Sequence, residues 1–471
     1  MNKRILLLIV ILILTIALIW SWIRKLESQG PKISHDIKVK YLNKPQTLNF
    51  HIEDLGSGLR SIHIAIVQRD SQNEIYSEEL PGSLLWNRKN TIRKTIQIPF
   101  DPAAMKVKEG PLTFVVTARD YSWRNKLTGN TTIEEQSFTL DRIPPNLVCL
   151  STQHYLNQGG TGFAVYQTSE DSIKDGVQVG DAFYPGFAVK TESNPLAHVV
   201  YFALPYDQPD PRIELISADE AGNEARVSFY YLLKKKAFRQ DSLTISDDFL
   251  KKKIPQFYAM DNTLPGMSLT DAFLRINNYW RDQSHRQLRE ICQKSQPECL
   301  WKGKFLRLPN AEPSALYADH RIYIYNGSKI DEQTHLGLDL ASLAHSPVPA
   351  ANSGLVIYQG DLGIYGKTII LDHGQNVFSM YSHLSNFSVT AGQKVTIGQT
   401  IGITGDTGWA GGDHLHLSMM IGGTFVNPIE WWDEHWIKDN IELKLGILSP
   451  PPAPAAAPAA ATGGKKRHWL M

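Results

Sequence analysis

The longest uninterrupted apolar run lies at the front of the chain. From Ile5 to Ile23 nineteen consecutive residues carry no charge, with Lys3 and Arg4 on one side and Arg24 and Lys25 on the other. At about 1.5 Å of rise per residue, a helix of that length comes close to the ~30 Å hydrocarbon thickness of a bilayer. The run has no polar face, which argues against a helix buried in a soluble core. A secretory signal peptide has a shorter apolar run and a small-residue cleavage site, for which Ser28-Gln29-Gly30 is a poor candidate. The pattern therefore predicts an uncleaved anchor over residues 1–25, spanning 5–23. Trp20 and Trp22 then fall at the membrane–water interface, where amphipathic rings settle. Basic residues flank both ends in equal number, so charge leaves the orientation open.

Behind the anchor the pattern changes three times. Residues 35–236 alternate apolar and polar over short runs, such as Ile62-His63-Ile64-Ala65-Ile66-Val67, with Gly, Pro, Asn and Asp between them; this reads as strands joined by turns. Thr117-Ala118-Arg119-Asp120 followed by Asn125 recurs as Ser217-Ala218-Asp219-Glu220 followed by Gly222-Asn223. That interval of about one hundred residues is the size of an immunoglobulin-like sandwich. With Pro144-Pro145 between the copies, two tandem β-sandwich modules are expected over 35–144 and 145–236. They hold no cluster of catalytic side chains, so they suit spacers or binding modules for envelope protein partners.

Residues 237–312 turn helical: Ser268-Leu269-Thr270-Asp271 has a capping-box spacing, and Leu269, Ala272, Phe273, Ile276 and Trp280 follow on one helical face. A helical connector is expected there, packed on the groove of the next domain and restricting access to it. Residues 313–437 return to short strands and read as a compact antiparallel β-sheet whose glycines supply tight turns. The last segment, 438–471, reads as a C-terminal strand and then a mobile tail, nearly pure proline and alanine from Pro450 to Ala461. The expected class is mainly β.

Composition sharpens two points. A length of 471 residues suits about three folded units. The net charge of +1 conceals a division: four basic residues lie in 1–25 and three in 450–471, neither segment holds an acidic one, and 41 basic residues face 47 acidic ones between them. A body of about −6 speaks against nucleic acid as a partner. Three cysteines are too few for a disulfide scaffold. Cys292 and Cys299 are spaced either to close a local loop in an oxidising compartment or to stay reduced, and Cys149 reads as a small buried apolar residue.

The chemistry concentrates in 313–437. His335-Leu336-Gly337-Leu338-Asp339 sets an imidazole and a carboxylate four apart, and His414-Leu415-His416 sets two imidazoles two apart. On a strand such residues share one face while the intervening leucines point to the other. Catalytic zinc commonly takes three such ligands and keeps a position open. With 15 histidines in the chain, a lone His-x-His carries little weight. The order carries more: His-x-x-x-Asp, then Tyr381-Ser382-His383-Leu384, then Gly405-Asp406-Thr407-Gly408, then His414-Leu415-His416-Leu417.

In that order, together with Asp372-His373-Gly374 and the glycine-spaced run from Ala391-Gly392 to Ile401-Gly402, the segment from Tyr323 to Trp432 resembles the LytM/lysostaphin-type zinc endopeptidases of bacterial cell walls. The resemblance implies Zn2+ as cofactor, His335, Asp339 and His416 as its ligands, and His383 and His414 as the two catalytic histidines. It also implies peptidoglycan peptides as substrate and a position outside the cytoplasm, on the inner membrane of a single-pass protein. Trp409 and Asp413 depart from the commonest form of the turn before His-x-His, which bears on substrate preference rather than metal binding. His373 reads as structural or exposed; His345 and His320 read as loop residues near the groove.

Two other functions compete. Members of this family that lose ligands serve as scaffolds regulating other wall hydrolases, but here all three presumed ligands and both presumed catalytic histidines are present. A biotinyl- or lipoyl-type carrier would explain the glycine-turned strands from Val389 to Gly402, but neither Lys367 nor Lys394 has the context for attachment, and the histidines would have no role.

Overall fold

The computed structural model describes residues 3–84, 90–189, 191 and 194–449. The expected Pro/Ala-rich tail from Pro450 onward lies outside the described residues. The fold is mainly β, with a 23-residue helix, Lys3–Lys25, at its start. The aliphatic side chains of that helix are exposed along its length, and it is long and apolar enough to cross a membrane.

The chain divides into two compact units, one of Met1–Pro144 with Glu220–Asn223 and one of Pro145–Asp219 with Glu224–Met471. In the first unit, strands Lys32–His35, Gln46–Glu53 and Arg93–Phe100 form one antiparallel sheet. Ser71–Glu79, Leu59–Gln68, Gly110–Asp120 and Thr131–Leu140 form another. Period-two alternation explains the pairing of faces: Ile96, Ile98 and Phe100 are buried while the residues between them are exposed. Both sheets supply one core, in which Phe114 touches Phe50, Phe100 and Phe138 at ring distances of 5.9, 5.7 and 5.7 Å.

The second unit opens with two four-stranded antiparallel sheets. Thr161–Thr168 and Ala197–Ala203 are central to one, Ser172–Val179 and Ile213–Asp219 to the other. Their core does not end at the edge of this segment. Tyr201 packs on Trp431 at 6.2 Å and on Trp301 at 6.5 Å, and Trp301 packs on Trp431 at 5.4 Å. The strands of 145–219 and the C-terminal sheet thus share one apolar interior. Period-two patterning shows which face of a strand is apolar; it does not show whose apolar face will meet it.

The stretch expected as a helical connector is helical only in its middle. Strand Gln240–Thr244 pairs in parallel with His320–Tyr325. Helices Asp247–Lys253, Leu269–Leu274 and Arg281–Ile291 follow, with a π-helical turn over Arg275–Trp280. Ser268 caps as its spacing predicts, accepting the amide proton of Asp271 at 3.1 Å, and Ala272, Phe273 and Ile276 are buried. Residues 293–311 form no regular element, yet Trp301, Phe305 and Leu308 enter the main core. Cys292 is buried, Cys299 exposed, and both are free.

The C-terminal sheet is antiparallel throughout. Its order is Glu312–Ala315, Leu338–Ala341, Leu415–Ile421, Val377–Leu384, Lys367–Asp372, Gly354–Asp361 and Lys394–Val395, with Thr424–Val426 paired to Leu415–Ile421. Leu415–Ile421 and Val377–Leu384 are central and buried at every position. Among the described residues beyond them the expected C-terminal strand is not found: Lys438–Leu448 forms consecutive helical turns. Ile437, Ile441 and Leu448 recur near helical spacing and are buried, so the periodicity there is closer to 3.6 than to 2.

Candidate active site

The C-terminal sheet brings the distant motifs together through its register. Leu338–Ala341 lies beside Leu415–Ile421 with Asp339 directly opposite His416. Directly opposed residues share a face, so carboxylate and imidazole point the same way. His335 reaches them by a different route from the one its spacing suggests. It lies outside the strand, because strand Ser328–Thr334 ends just before it and the chain bends at Gly337 before Leu338 begins. That bend needs the bare backbone of glycine: a Cβ on Gly337 would stand 2.6 Å from His416 Nε2. Leu338 is fully buried as expected, whereas Leu336 is only partly so.

The result is a compact set of three donors. His335 Nε2 lies 2.9 Å from Asp339 Oδ1 and 3.0 Å from His416 Nδ1, and His416 Nδ1 lies 2.9 Å from Asp339 Oδ1. All three residues are buried and able to hold a metal ion. Groups behind them fix which ring nitrogen faces inward. His335 donates its Nδ1–H to the Leu316 carbonyl at 2.9 Å, leaving Nε2 as the donor atom. His416 turns Nε2–H to Ser418 Oγ at 3.0 Å, and Ser418 in turn donates to the Leu336 carbonyl at 2.9 Å, which leaves Nδ1 inward. Asp339 Oδ2 accepts from Arg321 at 2.7 Å. Orientation of ligands by such outer partners is what a metal site requires.

His383 and His414 stand beside this set. His383 packs 4.9 Å from the His414 ring and 5.7 Å from the His416 ring. The pleat alone would not put it there, since Ser382 is the residue directly opposite His416. A shift of register opposite Lys367–Ile369 and a left-handed φ of 61° at His383 re-aim the chain, a local irregularity of the kind that gathers at functional sites. His383 donates Nδ1–H to the Thr407 carbonyl and His414 donates Nδ1–H to the Gly412 carbonyl, each at 2.8 Å, so Nε2 is the inward atom of each ring. His414 Nε2 is 3.4 Å from Asp339 Oδ1.

Burial dominates the electrostatics. It opposes ionisation of Asp339, but the His335 charge and hydrogen bonds from His335, His414 and His416 together outweigh it and hold the carboxyl well below its usual range. Burial lowers His416 to about 4, against the pull of Asp339, and lowers His383 as well, reinforced by His414 and His416. His414 is the exception: burial is outweighed by its hydrogen bond to Asp339, and its pKa rises.

All five histidine and aspartate residues singled out by spacing and resemblance line one cavity of about 100 Å³. Arg281, Arg321, Tyr323, Tyr365 and Trp409 complete its wall. Sequence reasoning missed Arg321; the only sign of it is alternation with Tyr323 on one strand, which sets both on the cavity side. Trp409 is held by Phe249, Phe257 and Phe273 at 5.2–5.7 Å, so the turn before His-x-His is clamped by the helices of 247–274. The three histidines read as non-ligands stay apart from the donor set, whereas His285 bonds the cavity-lining Tyr365 at 3.0 Å. His373 is fully buried, bonded to the Ser353 carbonyl and Ser379 Oγ at 2.7 Å. His345 is near Asp413 at 3.7 Å and His320 near Glu332 at 3.4 Å.

Residues 333–428 match a family model described as Peptidase family M23. Over 95 residues, 20% of the chain, it is 39% identical to the DD-carboxypeptidase/endopeptidase Mpg of Neisseria meningitidis serogroup B, covering 22% of that protein. Over 160 residues it is 35% identical to the peptidoglycan DD-endopeptidase ShyA of Vibrio cholerae serotype O1, covering 34% of each chain. The chain thus spans about a third or less of the length of these curated relatives. Among solved structures, the catalytic domain of lysostaphin from Staphylococcus simulans is 28% identical over 28% of this chain and 98% of its own, with a TM-score of 0.25. A zinc-containing peptidase from Vibrio cholerae is 12% identical over 87% of this chain and 90% of its own, with a TM-score of 0.25.

Proposed function

We propose, from the premise that residues 333–428 are an M23 peptidase domain of LytM type, that this chain is a membrane-anchored zinc endopeptidase. Its substrate is the peptide cross-link of peptidoglycan, cut outside the cytoplasm. The observation that carries the reading is the cavity in which His335, Asp339 and His416 converge with His383 and His414 beside them on its wall. The relative named as a peptidoglycan DD-endopeptidase supplies the substrate class.

The donor set fits zinc: two imidazole nitrogens and one carboxylate oxygen within about 3 Å of one another, each fixed by a partner behind it. Zinc held there supplies a Lewis acid and activates water for hydrolysis. The protein supplies the rest. His383 and His414, positioned by the Thr407 and Gly412 carbonyls, offer Nε2 to take a proton from the nucleophile, to return it to the leaving amine, and to hydrogen-bond the developing oxyanion. Arg321 donates to Asp339 Oδ2 and so holds the carboxylate with Oδ1 toward the two imidazoles. The Lys3–Lys25 helix serves as the anchor, and the strand-rich segments before the peptidase domain serve as spacers or docking modules for envelope proteins.

A scaffold without activity is disfavoured by the same donor set, since none of the five residues is missing. Purified zinc-loaded protein is expected to convert cross-linked stem peptides of cell-wall sacculi to uncross-linked ones and so release soluble, peptide-bearing glycan strands. His335→Ala should contain no zinc and release none; undiminished digestion by that variant refutes the assignment.

A further inference from the structure

A second cluster of metal-ligating side chains lies in the first unit, apart from the peptidase domain. Carboxylate oxygens of Glu27, Asp54 and Asp120 lie within 4.8 Å of one another. Asp120 is fully buried and Asp54 is 5% exposed. Three carboxylates this close repel strongly in a buried setting. Burial pushes the Asp54 carboxyl up to about 6, with Glu27 and Asp120 adding to it.

The cations of the region do not resolve the conflict. Lys25 aims its ammonium at the carbonyls of Ser83 and Tyr121, at 2.7 and 3.3 Å, and forms no ion pair among the described residues. Arg60 and Arg124 likewise direct their donors to the carbonyls of Leu127, Thr128 and Leu26. Three carboxylates against one nearby ammonium leave a charge of about −2 to be met.

The polar atoms tell the same story independently of charge. Asp120 is held by the amides of Ser122 and Asn130 and by the Asn130 side chain, at 2.9, 2.7 and 2.9 Å. Asp54 Oδ1 accepts from the Gly56 amide at 2.8 Å, but Asp54 Oδ2 is buried without a hydrogen-bond partner among the described residues. Ser57, whose amide donates to Glu27 Oε1, is fully buried, and its Oγ is also without a partner. Two buried oxygens without partners, one on Asp54 and one on Ser57, whose amide meets Glu27, join three clustered carboxylates in an all-oxygen donor set of the kind a hard cation takes.

We propose that Glu27, Asp54, Asp120 and the Ser57 hydroxyl form a Ca2+ site. Ca2+ takes six to eight oxygen ligands in irregular geometry at about 2.3–2.6 Å, whereas Mg2+ demands a near-octahedral set; donors drawn from three separate segments suit the former. The ion fastens the segment that follows the Lys3–Lys25 helix to the turns at Asp54–Gly58 and Asp120–Asn130, so that the link between helix and sheets is stiff when Ca2+ is present and loose when it is removed.

The test is 45Ca2+ equilibrium dialysis of the full-length, zinc-loaded protein in detergent micelles. One Ca2+ per chain is expected at sub-millimolar concentration, with Mg2+ a poor competitor. Asp54→Asn and Glu27→Gln should each weaken uptake about tenfold or more while cleavage of sacculi is unchanged. Glu27 is only half-buried, so its variant keeps the test decisive if Asp54→Asn does not fold. Absence of uptake at about 1 mM Ca2+, Mg2+ bound as tightly as Ca2+, or unchanged uptake in Glu27→Gln overturns the site.

Discussion

The bend at Gly337 can be tested with a single methyl group. In Gly337→Ala the new Cβ stands 2.6 Å from His416 Nε2 and 2.6 Å from Ser418 Oγ, where ordinary contact begins at 3.4 Å. Ring and hydroxyl must therefore retreat by roughly 0.8 Å, the difference between those contacts. The retreat strikes the 3.0 Å bond between the same two atoms, which orients His416. It also pulls Nδ1 from its place beside Asp339 Oδ1 and His335 Nε2. Disturbing a partner of this kind costs about 10–100-fold in metal affinity, or about 1.4–2.8 kcal/mol. Overpacking adds about 1–3 kcal/mol against folding. Zinc affinity is measured by competition with a chromogenic chelator, and turnover of sacculi is followed in excess zinc. Gly446→Ala, with nothing within 4 Å of the added carbon, serves as control. If Gly337→Ala binds zinc as tightly as the parent protein, the steric account of the bend is wrong.

Other outcomes follow from neighbouring contacts. Ser418→Ala should lower zinc affinity by about tenfold or more with little loss of thermal stability, since it removes the acceptor for His416 Nε2–H and leaves the backbone intact; equal affinity counts against that relay. Deleting residues 237–312 should give insoluble protein rather than a more active enzyme, because Trp301, Phe305 and Leu308 leave the main core with it; a soluble, zinc-binding product refutes this. Burial lowers His373 from 6.5 to about 4. Below pH 6.5 the unfolded chain takes up a proton that the folded one refuses, so stability falls as pH drops from 6.5 to about 4, by about 1.4 kcal/mol per pH unit. His373→Gln should show a correspondingly shallower slope in denaturant titrations across that window.

How much of this was legible in the sequence depends on how local each cause is. The five cavity residues were readable because two short motifs carry them and sheet register joins those motifs. Arg321 was not, because its partner Asp339 lies on another strand and nothing in His320–Tyr325 marks a buried cation. The place of His383 depends on a register shift against Lys367–Ile369, which no count along one strand reveals. Alternation marked the strands of 145–219 but not that Tyr201 would meet Trp301 and Trp431. At 438–448 the helical turns leave little mark in the sequence, because Ile437, Ile441 and Leu448 are too sparse to stand out from a strand pattern. The cluster of Glu27, Asp54 and Asp120 is drawn from three segments and has no linear signature.

The central strand Leu415–Ile421 is the last part of the active site to be synthesised, yet it inserts between Leu338–Ala341 and Val377–Leu384. Two donors are in place some eighty positions before the third, and the loop between them must be closed before the register that pairs Asp339 with His416 exists. The nascent chain therefore lacks a complete donor set until nearly all of the sheet has been synthesised. Timing is thereby written into strand order: the cavity that joins the two motifs is the last part of the sheet to close.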